Sequence, residues 1–288
     1  MYRKLWLKNN QGNIFTFTEE SIKSFLNNPT GFGFQKTING LTMGNITKVL
    51  SSSYNFASIT GNILFYNARE QAYQDYFNFV NFISFEPIKL YYQPPNTLKP
   101  YYCDVEVMQS DKGEYNINRY LEIPLILQMT SHWQDAEETI IEVESGVADG
   151  KYYDLERPYY YGANTLDNIS LTNTGQDEVG FIVEVNGSVV NPQWTIYQDN
   201  EVVGTCKLTG TFDKVIVNSR DGEQEIYLEN NGSVITNPTS YQDLSITGGI
   251  LTFCRLKVGQ AKMVFTAGNI GTFSGNVKVH LRNSYISV

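Results

Sequence analysis

The sequence predicts a mainly β protein of two domains, the first sandwich-like with one helix and the second a β-sandwich. Three observations carry that reading. The chain holds 20 Tyr and 16 Phe together with many Thr, Val and Ile, side chains that fit a pleated, half-buried surface. These residues fall in short alternating runs separated by Gly, Asn and Pro turns. A length of 288 residues suits two domains, each able to bury a core without disulfides or metals.

The elements follow in order. Residues 2–7 and 13–18 alternate around Asn9-Asn10-Gln11-Gly12 and predict a hairpin. Pro29-Thr30-Gly31-Phe32-Gly33-Phe34 is a small-residue stretch carrying two Phe, and residues 52–66 read as extended strand. From residue 69 to 85 the period changes: Ala72, Tyr73, Tyr76, Phe77, Val80 and Ile83 recur at helical spacing. Asn67 is placed to cap this helix, Glu70 to complete a capping box, and Pro87 to stop it. Its Tyr73, Tyr76, Phe77 and Val80 are expected to form the face that covers the N-terminal sheet; a ligand pocket lined by those rings is the alternative.

Strands resume at residues 88–92 and 101–107, with a Pro94-Pro95 loop between them and a turn at Lys112-Gly113. Residues 120–129 form a strongly apolar run whose Pro124 points to an edge or bulge. Past Trp133 the texture shifts to an acidic, turn-rich stretch. That places a first domain at 1–134, a linker at 135–151 and a second domain at 152–288. The second domain shows short strands every ~8–12 residues, as a sandwich or barrel does.

Composition narrows the function. Twenty-one basic against 30 acidic residues give a net charge of −9, which repels phosphate backbones and argues against nucleic-acid partners. No apolar segment follows the basic start, and none approaches the ~20 residues of a spanning helix. The expectation is cytoplasmic synthesis without a signal peptide or membrane span. Cys103, Cys206 and Cys254 lack ligand spacing, so they read as buried thiols; a Cys206–Cys254 pair is the alternative.

Residues suited to chemistry are few. The chain has 2 His, His132 and His280, distant in sequence. Ser131 and His132 are neighbours on a strand, where side chains point to opposite faces, so they cannot exchange a proton directly. No nucleophile elbow, metalloprotease helix or phosphate loop is present; Gly31-Phe32-Gly33 lacks the third Gly. Paired carboxylates for glycoside hydrolysis, with Glu184, Glu225 and Asp104 as candidates, remain open in principle because such acids can come from any strands. No cofactor and no metal are expected.

Three stretches resemble the distal tail protein (Dit) family of long-tailed bacteriophages with non-contractile tails. The first is Pro29 to Phe34 followed by the helix with its Tyr/Phe face and by Ile88-Lys89-Leu90-Tyr91-Tyr92. The second is the apolar strand from Tyr120 that ends in Trp133. The third runs Ile169-Ser170-Leu171-Thr172-Asn173-Thr174-Gly175, then Val183-Glu184-Val185-Asn186-Gly187, then Asn191-Pro192. The match covers nearly the whole chain in order, and past Asn237 it is carried only by generic strands.

The resemblance implies a non-enzymatic hub in the virion tail tip. Its N-terminal domain would form a homohexameric ring joining the tail tube protein to the tail-associated tip protein. A galectin-like C-terminal β-sandwich would be available to receptor-binding or other baseplate proteins. No insertion of the size that forms a receptor-binding-protein arm is seen. The alternative from another class is a carbohydrate-binding module, with Trp194 and Tyr197, or Tyr159-Tyr160-Tyr161, as a stacking platform.

Overall fold

The structure, a computed structural model, describes residues 3–17, 24–95, 97–144, 165–245, 253–270 and 272–288. The chain divides into two units, Met1–Glu137 with Ser284–Val288, and Glu138–Asn283.

In the first unit the strands are β1 (Lys4–Lys8), β2 (Ile14–Thr16), β3 (Ser24–Thr30), β4 (Gln35–Met43), β5 (Ile46–Asn55) and β6 (Ser58–Phe65). Helix α1 (Arg69–Ile83) precedes β7 (Ile88–Gln93), β8 (Tyr101–Ser110), β9 (Leu121–Met129) and β10 (Trp133–Asp135). The main sheet is antiparallel in the order β2-β1-β7-β8-β9-β6-β3. Its logic is clearest in β9, where Leu121, Ile123, Leu125, Leu127 and Met129 all turn into the core and the residues between them turn out. Pro124 lies one residue beyond the last β8 partner, Leu125 opposite Ser110. Its missing N–H therefore leaves no gap in that ladder.

Helix α1 lays Ala72, Tyr76 and Phe79 on this core. The cap differs from the sequence reading. Ala68 is the N-cap and makes no side-chain bond. The Asn67 amide donates instead to the Asp75 carboxylate, and the Asn67 carbonyl accepts from the Tyr115 hydroxyl at 2.9 Å.

The second unit begins with β11 (Thr139–Glu144), β12 (Thr165–Asn173), β13 (Val179–Gly180), β14 (Ile182–Val190), β15 (Gln193–Gln198) and β16 (Glu201–Lys207). It continues with β17 (Thr211–Asn218), β18 (Glu225–Asn230), β19 (Ser233–Val234), β20 (Arg255–Leu256), β21 (Gly259–Thr266) and β22 (Asn276–Leu281). One sheet runs β11-β22-β14-β17-β18-β19 and another β12-β21-β15-β16. Val183, Val185, Val277 and Val279 of the first share one core with Trp194, Ile196, Met263 and Phe265 of the second. Two sheets that pool their inward residues in this way form a sandwich.

The division also differs from the expected linker at 135–151. Strand β11 lies inside that window and pairs with β22 from Thr139↔Leu281 to Glu144↔Asn276; residues 145–151 lie outside the described ones. The last strand, β23 (Ser284–Tyr285), pairs with β10 in the first unit. Short-range composition marks the acidic stretch but cannot reveal that its residues complete a sheet more than a hundred positions away.

Candidate assembly surface

Strands β4 and β5 pair only with each other. Every residue of both is exposed, among them Ile38, Leu41, Met43, Ile46, Val49, Leu50 and Tyr54. Seven large apolar side chains in water on a two-stranded ribbon are a surface awaiting a partner, because a lone hairpin has neither core nor covered edges. We call this ribbon the arm.

The arm is anchored at both roots. Gly31 has φ +97°, and a Cβ there would fall 2.2 Å from the Ser58 carbonyl oxygen, so only glycine lets the backbone pass. Beside it the Phe32 ring stacks 6.0 Å from Trp133 and lies tilted 4.9 Å from Tyr92. At the other root Phe56 meets His132 edge-on at 5.0 Å, and the Phe56 carbonyl accepts from the Gln128 amide at 3.2 Å. The Pro29–Phe34 motif thus anchors one root of the arm. Nothing in it is arranged as a phosphate loop. The sequence reading assigns no element to residues 35–51. The signal that finds them is Gly44-Asn45 between two runs, a two-residue hairpin loop with Gly44 at φ +61°.

The expected helix face is partly corrected. Tyr76 is buried and donates to the Ser110 carbonyl at 3.0 Å, and Tyr73 and Val80 pack at the core's margin. Phe77 is 51% exposed, with the Lys112 ammonium 5.7 Å from its ring. The core aromatic is Phe79, fully buried at 0% and 4.8 Å from Phe15. One residue turns a helix by 100°, so Phe77 cannot share a stripe with Ala72, Tyr76 and Phe79.

The stacking platform is also corrected. Trp194 is 1% exposed and faces Phe265 across β15 and β21 in the sandwich core. Tyr197 is 36% exposed; three residues along a strand, it points to the opposite face. The two rings therefore form no common surface. Tyr159 to Tyr161 lie outside the described residues.

The residues weighed for chemistry are engaged structurally. The Ser131 hydroxyl accepts from the Asp104 N–H at 2.8 Å and donates to the His132 carbonyl at 3.1 Å. The imidazole of His280 lies 3.2 Å from Glu138 and 3.3 Å from Glu184. Burial alone would raise the Glu138 carboxyl, but the hydrogen bond and charge of Arg220 and the charge of Arg282 outweigh it and hold it below its usual range. Burial acts likewise on Glu184, and there the hydrogen bonds from Lys214 and Asn186 prevail. Neither carboxyl is poised as a proton donor at neutral pH. Asp104 lies 3.7 Å from Lys89, and Glu225 sits exposed at the start of β18.

The three cysteines are free and buried, and burial pushes the Cys206 and Cys254 thiols up to about 12. Among the described residues no cluster of His, Cys, Asp or Glu could hold a metal ion, and no helix is long and apolar enough to cross a membrane.

Comparison with known proteins places these features. Residues 4–130 match the family described as "Distal tail protein, N-terminal domain". Among solved structures, a chain of the phage P2 baseplate in its activated conformation aligns over 100% of both chains with a TM-score of 0.61 at 16% identity. The SPP1 Dit protein (gp 19.1), described as a paradigm of the hub adsorption apparatus in phages infecting Gram-positive hosts, aligns with a TM-score of 0.62 at 11% identity. That alignment covers 97% of this chain and 98% of that one. No curated protein sequence matches.

Proposed function

Residues 4–130 match the N-terminal domain of the distal tail protein family, and from that premise we propose that the chain is a distal tail protein that assembles into a closed homohexameric ring at the tail tip. It is a structural baseplate hub protein of a phage tail. The observation that carries the ring is the arm, whose strands expose apolar side chains that no other part of the described first unit covers. In a closed ring each copy offers its arm to a neighbour and receives one, so no such surface is left over. The ring would join the tail tube protein on one side to the tip protein on the other. The second unit would be available to further baseplate proteins, and the chain would act without catalysis.

Light scattering and negative-stain electron microscopy of the purified protein test this. The expected result is a six-fold ring, and a variant with residues 35–55 replaced by a short Gly-Ser turn should remain monomeric and folded. A parent that is monomeric at all concentrations, alone and with the adjoining tail proteins, would overturn the reading.

A further inference from the structure

The pairing register of the arm holds more than its exposure. Strand β4 is regular, so Lys36, Ile38, Gly40 and Thr42 share one face and Thr37, Asn39, Leu41 and Met43 the other. Their β5 partners follow: Tyr54 opposite Lys36, Ser52 opposite Ile38, Val49 opposite Gly40 and Thr47 opposite Thr42. On the second face Ser53, Ser51, Lys48 and Ile46 stand opposite Thr37, Asn39, Leu41 and Met43. Leu50 is the extra residue of a bulge between the Asn39 and Gly40 pairs.

The apolar surface therefore changes sides at the bulge. Towards the root it lies on the first face, as Ile38, Val49 and Tyr54, while the second face there is Thr37, Asn39, Ser51 and Ser53. Towards the tip it lies on the second face, as Leu41, Met43 and Ile46, while the first carries the Thr42–Thr47 hydroxyl pair at 3.1 Å. Gly40 sits at the changeover, where a Cβ would lie 2.8 Å from the Lys48 carbonyl oxygen, so the two strands close up where the apolar side switches.

We propose that the arm makes two separate contacts in the assembly, the root half on one surface and the tip half on a different one, both provided by other copies of this chain. This rests on the ring reading above. A single flat surface laid along the ribbon would cover one apolar half and bury the polar residues of the other, an arrangement that desolvation disfavours. Charge selects the occupant. Residues 35–55 carry Lys36 and Lys48 and no acid, and no Asp or Glu occurs between Glu20 and Glu70. The whole chain nevertheless has a net charge of −9. A basic arm on an acidic protein is complementary to another copy of that protein.

The test places a photoreactive benzophenone amino acid at one of four positions in the full chain, and mixed isotope-labelled and unlabelled protein identifies cross-links between copies. Replacement of Ile38 and of Leu41 should each give strong cross-links, to two non-overlapping segments. Replacement of Asn39 and of Thr42, on the polar halves, should give few. Lys36→Glu with Lys48→Glu should weaken assembly by about tenfold or more, an effect that shrinks at high salt. A monomeric parent overturns this proposal together with the ring. An oligomeric parent in which positions 38 and 41 cross-link to the same segment, or only to another tail protein when that is added, overturns this proposal alone.

Discussion

Two antiparallel hairpins of the first unit, β8–β9 and β4–β5, use similar residues to opposite ends. In β9 the alternation of apolar and polar side chains sends Leu121 through Met129 into the core. In β4–β5 the Ile, Leu, Val and Met side chains, sparser among Ser, Thr and Asn, meet no core, and every residue is exposed. The difference is not in strand formation, since all four strands run nine or ten residues. It lies in whether a covering surface exists within the unit: β9 has one, and among the described residues β4–β5 has none. A binary pattern specifies a face that must be covered and leaves open what covers it.

Substitutions can break or sharpen that contrast. The largest effects should come from the covered aromatics: Phe79→Ala and Trp194→Ala should each lower stability by about 3–5 kcal/mol. The half-exposed Phe77→Ala should cost less than about 1 kcal/mol, its cation contact with Lys112 being the main loss. Thermal melting checks all three, and a Phe77→Ala protein as damaged as Phe79→Ala would refute the observed phase of α1.

Next is the direct comparison of hairpins. Leu127→Ala should cost about 2–5 kcal/mol, whereas Leu41→Ala should leave the melting of the dilute protein within about 0.5 kcal/mol of the parent. The same Leu41 change should weaken assembly, read by mass in solution. Equal melting losses for the two leucines would mean that the arm folds onto its own unit.

A smaller effect is expected at the arm's root. Gly31→Ala forces a side chain into a positive-φ backbone and towards Ser58, a strain of about 1–3 kcal/mol. Hydrogen exchange should then quicken in residues 24–34 and 56–60 before it does in β9. Unchanged exchange there would remove Gly31 from its anchoring role.

Acid should separate the two units most gently. The carboxyls held below their usual range, Glu138, Glu184 and Asp243, all lie in the second unit. A depressed carboxyl stabilises the fold above its unfolded pKa, and that share is lost as the pH falls through the folded value. For Asp243, hydrogen-bonded to Lys207 and Ser245, the window runs from 3.8 down to about 2. Hydrogen exchange between pH 5 and 2 should show the second unit loosening first, and Glu138→Gln should remove part of the step. Simultaneous loosening of both units would contradict this assignment.

Much of the fold was legible because local alternation and a rigid core coincide. The β9 run, the helix over 69–83 and most sandwich strands are set by side chains that find partners within their own unit. The errors have physical sources. On α1, Tyr76, Phe77 and Phe79 lie within one turn, and the inward pair is seen only from distant partners: Phe15 and Phe17 beside Phe79, and the Ser110 carbonyl at the Tyr76 hydroxyl. For Trp194 and Tyr197, an odd spacing on one strand already places the rings on opposite faces. Bulk alone made Trp194 look like a platform, although a large ring fills a sandwich core equally well. The arm escaped because its strands are rich in Ser, Thr and Asn, and its turn signal is a single Gly-Asn pair.

The return of residues 284–288 to the first unit bears on how the protein is made. Strand β23 lies beside β10, with the Tyr285 ring 5.0 Å from Tyr101 and its hydroxyl 3.2 Å from the Asp135 carboxylate. On a ribosome, residues 1–137 emerge first, yet they cannot close this corner of their sheet until all of residues 138–283 have been synthesised behind them. The arm-bearing unit is therefore the first to begin folding and the last to finish. Nascent chains that have not yet released residue 285 lack a finished first unit, and closure of the proposed ring would wait until translation has delivered that strand.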